Sequence, residues 1–221
     1  MAAVTQLEIY NGALAFVRER PLLSLTEKRE PRFAIDAIYA KAIQHALEMA
    51  YWKFAIRSAT LSPSSPAFGS SFDDSFQTAD LLGYDNQYSI PADCVQPYQL
   101  SGSAQFDPLL TDYREERGYW LTQCNPLYIL IVSNDVQYGM NMAVWPPTFQ
   151  EYLSCYLAWK IAPGVAQARD IIDILDKTQK KLLSVAMAKS AMRGPARKAP
   201  YGSWARSRRG SYSGTPPSGT W

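Results

Sequence analysis

The sequence is poor in the residues that carry most catalytic and metal chemistry. It has one histidine, His45, and three cysteines, at positions 94, 124 and 155. The cysteines lack zinc-ligand spacing and cannot all pair within one chain, so they read as buried thiols in a reducing compartment rather than as staples of a secreted domain. A Ser-His-Asp or Cys-His set within the chain would have to use His45, which lies between Ala42 and Ala46 on an apolar helical stripe and is expected to pack there. There is no phosphate-binding glycine loop, no paired-histidine zinc helix and no nucleophile elbow. The expectation is no enzyme, no metal and no cofactor. Long apolar runs are also missing: the strongest covers residues 127–132, far short of the roughly 20 residues that cross a bilayer, and no signal sequence is read at the start. No membrane span is expected. Acid is absent from one end. Residues 177–221 hold 10 basic and no acidic side chains, whereas residues 1–176 hold 12 basic and 20 acidic, so a body of −8 carries an end of +10. Such an end neutralises phosphate or docks on an acidic protein surface, and composition does not choose between them.

What is present is enough to fold. The chain has 221 residues, 47% of them apolar, which excludes a disordered or collagen-like whole. The spacing predicts helices over about 5–19, 31–51, 147–162 and 165–192. The first has Thr5 and Glu8 at capping-box spacing, with Leu7, Ala13, Leu14, Phe16 and Val17 as its apolar side before Pro21. The second starts at Pro31, where a missing donor is tolerated, and carries Ile35, Ile38, Ala42, Ala46 and Met49. In the third, Thr148 and Glu151 are spaced as a cap, and Pro163-Gly164 is its expected stop. The fourth repeats Ala168, Ile172, Leu175, Gln179, Leu182 and Ala186 at steps of four and three, too weakly to require a coiled coil. Residues 52–145 read as a β-rich and loop insertion. Trp52, Phe54 and Ile56 alternate on one side of an expected strand, and 119–122 and 127–133 are expected to pair through a turn. Residues 193–221, rich in Pro, Gly and Ser, read as an extended basic C-terminal arm carrying Tyr201, Trp204, Tyr212 and Trp221. The expected fold is therefore mainly α with a small β-rich region, a helical-bundle body (residues 1–192) plus the arm.

Few side chains stand out as a site. The pairs Asp73/Asp74 and Glu115/Glu116 read as solvated loop carboxylates, and Trp120, Trp145 and Trp159 as core or interface rings. Arg206, Arg208 and Arg209 beside Trp204 form the sharpest charge cluster. From the residues alone it reads as an intersubunit clamp, a nucleic-acid contact or a solvated end.

An ordered series of motifs narrows this. It runs Tyr10-Asn11-Gly12-Ala13-Leu14, Ser24-Leu25-Thr26-Glu27-Lys28-Arg29-Glu30-Pro31-Arg32, Trp52-Lys53-Phe54-Ala55-Ile56-Arg57 and Gly118-Tyr119-Trp120. It continues through Ser133-Asn134-Asp135, Trp145-Pro146-Pro147-Thr148-Phe149 and Tyr156-Leu157-Ala158-Trp159-Lys160-Ile161-Ala162-Pro163 to Gly202-Ser203-Trp204-Ala205-Arg206-Ser207-Arg208-Arg209. In this order they resemble the tail tubular protein A family, the head-to-tail adaptors of short-tailed bacteriophages, over roughly residues 7–209. Cys94 stands where the family pattern calls for tryptophan.

The resemblance implies a structural virion component of the tail, assembled in the host cytoplasm. It implies a ring of twelve copies between the portal protein and the tail nozzle protein, its opening continuing the route of double-stranded DNA. Trp204 is then the expected apolar anchor on the portal, and Arg206, Arg208 and Arg209 its charge-assisted contacts. The acidic body is expected to serve ring contacts and the channel wall, and residues 61–133 to face the nozzle. Pro31, with Glu30 and Arg32, is expected at a helix start. Trp52 and Phe54 are expected to join helix to β-region, Asn134 and Asp135 to hold a turn, and Trp145 and Trp159 to pack in core or interface. The competing reading is a sequence-nonspecific DNA-binding protein that uses the arm on phosphates.

Overall fold

The computed structural model describes residues 5–64, 84–165 and 169–193. Four helices, α1 (Gln6–Val17), α2 (Glu30–Glu48), α3 (Pro147–Val165) and α4 (Arg169–Met192), stand beside six strands, β1 (Ile56–Leu61), β2 (Asn86–Ser89), β3 (Cys94–Ser101), β4 (Arg114–Glu116), β5 (Tyr119–Thr122) and β6 (Leu127–Ser133). Helix accounts for 48% and strand for 19% of the described residues, the strands forming two three-stranded antiparallel sheets. This corrects the expected mainly helical bundle: the fold is mixed α and β. The β part was underestimated because several of its strands are short or polar. β4 reads Arg-Glu-Glu, β2 reads Asn-Gln-Tyr-Ser, and β3 contains Pro97 beside a register shift at a sheet edge, where a missing donor is tolerated.

α1 begins as its sequence requires. Thr5 and Glu8 cap each other reciprocally, and Ile9, Tyr10, Ala13, Leu14 and Val17 are buried. The helix stops at Val17, earlier than the expected 19, because Arg18 turns left-handed at φ 63°. Gly12 sits where a Cβ would lie 2.9 Å from Ser154 Oγ, so glycine lets α1 approach α3. Asn11 holds the loop after α1 by accepting from Leu22 N at 2.7 Å and donating to Leu22 O at 3.1 Å.

α3 is buried on almost every side, from Phe149 and Tyr152–Ala158 to Ile161 and Ala162, which makes it the central helix, with α1, α2 and α4 around it. Two expectations fail here. The helix begins at Pro147, the Pro146 carbonyl accepting from Phe149 and Gln150 N–H, so Thr148 is not its cap. It also runs through Pro163 to Val165, since a proline near the end of a helix disturbs only its last turn. On α4, Leu175 and Ala186 are buried and Leu182 half-buried, while the half-buried Gln179 donates to Asp176 Oδ1 at 3.2 Å. Ala168 lies outside the described residues.

The order β1-β6-β3 makes one sheet and β2-β5-β4 the other. β5 and β6, expected to pair with each other, belong to different sheets. Alternation along β6 explains the layers. Leu127, Ile129 and Ile131 face a cluster with Tyr88, Leu100 and Trp120, whereas Val132 joins the larger core under the helices. The first sheet thus lies between the helical layer and the second sheet.

Candidate functional site

Two of the motifs, residues 52–57 and 145–149, meet in space although they are far apart in sequence. Instead of a strand, the chain over Lys53–Ala55 makes a single 3-10 turn before β1, so Trp52 and Phe54 leave the sheet and enter the helical core. There Phe149 of α3 receives three rings edge-to-face: Trp52 at 4.8 Å, Phe54 at 4.9 Å and Trp145 at 5.3 Å between centroids. Both indoles are satisfied, Trp52 Nε1 donating to Ala46 O at 2.6 Å and Trp145 Nε1 to Gly139 O at 2.8 Å. This aromatic junction fastens α2, α3 and the start of β1.

A polar clamp fastens the first sheet. Asp93 Oδ2 receives Arg57 Nη1 at 2.6 Å and Ser133 Oγ at 2.5 Å, tying β1, the start of β3 and the end of β6. Burial alone pushes the Asp93 carboxyl up, but the Ser133 hydroxyl and the Arg57 guanidinium outweigh it and hold it below the usual carboxylate range. A depressed pKa supplies stability that is present above the unfolded value, about 3.9, and lost as pH falls through the folded one. Asp93→Asn is expected to cost roughly 1.5–3 kcal/mol at neutral pH. In urea titrations its deficit against wild type narrows as pH drops below about 4; an equal deficit at all pH values would mean the charge is not what matters.

The loop after β6 hangs from this clamp. Asp135 N donates to Ser133 Oγ at 3.1 Å, Asp135 Oδ1 accepts from Gln137 N at 2.7 Å, and Asn134 N donates to Asp93 O at 3.0 Å. Pro31 stands in the first turn of α2, where Arg32 donates to Leu25 O at 2.7 Å and pairs with Asp36 at 3.0 Å. Asp36 also accepts from the Tyr10 hydroxyl at 2.6 Å. Trp159 is half-buried, 5.9 Å from the Tyr156 ring and under the Lys160 ammonium at 4.7 Å. His45 stacks on Tyr156 at 5.0 Å.

Glu115 accepts from Trp120 Nε1 at 3.2 Å, and Glu116 pairs with Arg114 at 3.4 Å. Asp73/Asp74 lie outside the described residues. Of the three cysteines, all free, only Cys155 is fully buried; Cys94 and Cys124 are half-buried. This corrects the reading of all three as buried. Burial pushes the Cys94 and Cys155 thiols up to about 11. Among the described residues no cluster of His, Cys, Asp and Glu could hold a metal, and no helix is long and apolar enough to cross a membrane.

The C-terminal candidates Trp204, Arg206, Arg208 and Arg209 lie outside the described residues. What is described is the helix that leads to them. Lys177, Lys180, Lys181, Lys189 and Arg193 are all exposed, five of the ten cations of the basic end, and Lys180 alone among them is drawn into an ion pair, with Asp176. Beside the end of α4 lies an open groove of about 790 Å³, walled by the residues after α2, by β3 and β6, and by Met187, Ser190 and Ala191. Sequence reasoning missed it. Met49, expected on the core stripe of α2, is instead exposed, and with the exposed Met187 of α4 it borders this groove, a meeting that no local spacing signals.

No protein-family model matches the chain, and no curated protein sequence matches it.

Proposed function

We propose that the chain is the head-to-tail adaptor of a short-tailed bacteriophage, a structural tail component that forms a ring between portal and nozzle and continues the DNA passage. The observation that carries this is the ordered series of motifs. Its fit to the fold supports the reading in physical terms. Tyr10, Asn11 and Gly12 hold specific contacts from α1 to α2, to the loop after α1 and to α3 respectively, and Trp52, Phe54, Trp145 and Phe149, from two motifs, form one ring cluster. The exposed cations of α4 continue into the Trp204 and Arg206–Arg209 motif, which suits a partner with an acidic or carbonyl-rich surface.

The test is mass-resolved assembly with the cognate portal at moderate and high salt. A discrete ring layer of about twelve copies on the portal is expected, a number taken from the resemblance alone. Deleting residues 202–209 should abolish portal affinity and incorporation. Unchanged incorporation would remove the arm from the mechanism. Monomers that ignore the portal but bind DNA with steep salt dependence would favour the phosphate-binding reading, which the +10 end motivates.

A further inference from the structure

We infer that the outer edge of β1 is the docking strip for an extended segment of a partner protein, alternately apolar and polar, which adds to the first sheet as a fourth strand. This goes beyond the adaptor reading and does not rest on it.

Edge strands offer unpaired backbone groups to any passing chain, and folded proteins blunt them. Three of the four edges here are blunted. β3 carries Pro97 and register shifts between Cys94 and Gln96 and between Pro97 and Gln99. β4 is short and wholly charged, Arg114-Glu115-Glu116. Ser64 covers β2, donating its N–H to Gln87 O at 2.8 Å and accepting Ser89 N–H on its hydroxyl at 3.2 Å. β1 has none of these devices. It keeps an unbroken register with β6, from Ile56 opposite Val132 to Leu61 opposite Leu127, and contains no proline. Its single charge, Arg57, is drawn across β6 to Asp93. Among the described residues, no hydrogen bond reaches the backbone groups on its outer side.

The side chains of β1 set the chemistry of the added strand. On the face toward the second sheet, Ala59 stands opposite Ile129 and Leu61 opposite Leu127, and both pack on the apolar cluster between the sheets. Ile129 and Leu127 are fully buried, whereas Ala59 and Leu61, at the open end of each row, are half-buried. On the other face Ser58 and Thr60 are exposed, and their hydroxyls make no hydrogen bond among the described residues. Apolar side chains two residues apart on an added strand would close the rows at Ala59 and Leu61, and Thr or Ser between them would meet Ser58 and Thr60, a favourable cross-strand pairing. Length selects a linear segment over a folded copy. The six residues of β1 span only about 20 Å. Two folded chains need roughly 1,200 Å² of buried surface to stay together, whereas a single strand is held by main-chain bonds and alternate side-chain contacts along such an edge.

The experiment adds the peptide acetyl-Lys-Thr-Val-Thr-Val-Thr-Val-Lys-amide in excess to the full chain and follows amide hydrogen exchange residue by residue by NMR. In the free chain, alternate amides of Ile56–Leu61, those that point away from β6, are expected to exchange fast, and the peptide should slow them by about tenfold or more. The same peptide N-methylated at every central residue keeps its side chains but loses its donors, and should leave these amides fast. So should a peptide of equal composition with its threonines and valines in separate blocks, which loses the alternation. No slowing with the alternating peptide, slowing confined to other strands, or equal slowing by either control would overturn strand addition at β1. Slow exchange of all the β1 amides in the dilute free chain would show the edge already covered within the molecule and overturn it as well. Slowing that rises with chain concentration and no peptide, together with a dimer in sedimentation, would give the edge to a second copy and overturn the linear segment.

Discussion

Replacing Phe149 with alanine is expected to destabilise the fold by about 3–5 kcal/mol, at the upper end of that range. Phe149 is fully buried and is the common partner of Trp52, Phe54 and Trp145. Its loss removes the transfer energy of a phenyl ring, leaves a cavity that two large indoles cannot readily fill, and deletes three ring pairs worth about 0.5–1.5 kcal/mol each beyond area. The indoles are held by their own bonds to Ala46 O and Gly139 O, which limits collapse of the site. Against a typical total of about 5–15 kcal/mol, such a variant loses a large fraction of its stability. Urea titration followed by far- and near-ultraviolet circular dichroism measures it. Phe149→Leu, which keeps most of the volume, should lose less than about 1.5 kcal/mol. A cost below that for the alanine variant would show that the junction relaxes freely and is not what fastens α2, α3 and β1.

Gly139→Ala is the second large effect, and it acts by insertion instead of removal. A Cβ at this position would lie 2.2 Å from the Ser133 carbonyl oxygen and 2.8 Å from Leu47 Cδ1. The first obstacle is backbone, and it is the same carbonyl that accepts Gly139 N–H at 3.1 Å. The loop must therefore move away from β6, which strains the Gly139–Ser133 bond and displaces the carbonyl that accepts the Trp145 indole. Overpacking costs about 1–3 kcal/mol and here adds to a weakened hydrogen bond, so a loss of about 3 kcal/mol or more is expected. Gly164→Ala is the control. Nothing lies within 4 Å of its Cβ position near the end of α3, so the change should stay within about 1 kcal/mol. Equal effects at the two glycines, in the same denaturation series, would contradict the close approach at Gly139.

Local chemistry was legible where it depends on neighbours in sequence. The Thr5–Glu8 capping box, the start of α2 within a residue of Pro31 and the stripe Leu175, Leu182 and Ala186 are all set by spacing alone, because each is decided within one or two turns of helix. The limits of strands β5 and β6 were equally readable, since both are short apolar runs ended by turn residues. Their partners were not. β5 pairs with β2 and β4, and β6 with β1 and β3, and such pairings are chosen by contacts distant in sequence that no local spacing encodes. The same gap produced the mistaken helical-bundle fold and the mistaken strand at Trp52 and Phe54. Alternation over 52–56 looks like a strand, but the chain makes a 3-10 turn there and the two rings pack against Phe149 instead of a sheet face.

By itself, then, the sequence determined the starts of α1, α2 and α3 to within a residue, though not that of α4, which was expected at 165 and begins at Arg169 after α3 has run on to Val165. It also determined the strand lengths around Tyr119–Ser133, the separation of a −8 body from a +10 end, and the motif series on which the adaptor reading rests. Only the tertiary structure decided that two sheets stack beneath four helices. It also decided that Asp93 joins three strands by accepting from Arg57 and Ser133, and that the ends of α2 and α4 enclose a groove. The physical reason is one of range. Caps and periodicity are satisfied within a few residues, whereas a ring cluster, an ion pair between strands or a groove exists only when segments tens of residues apart are held together by burial of their common apolar surface.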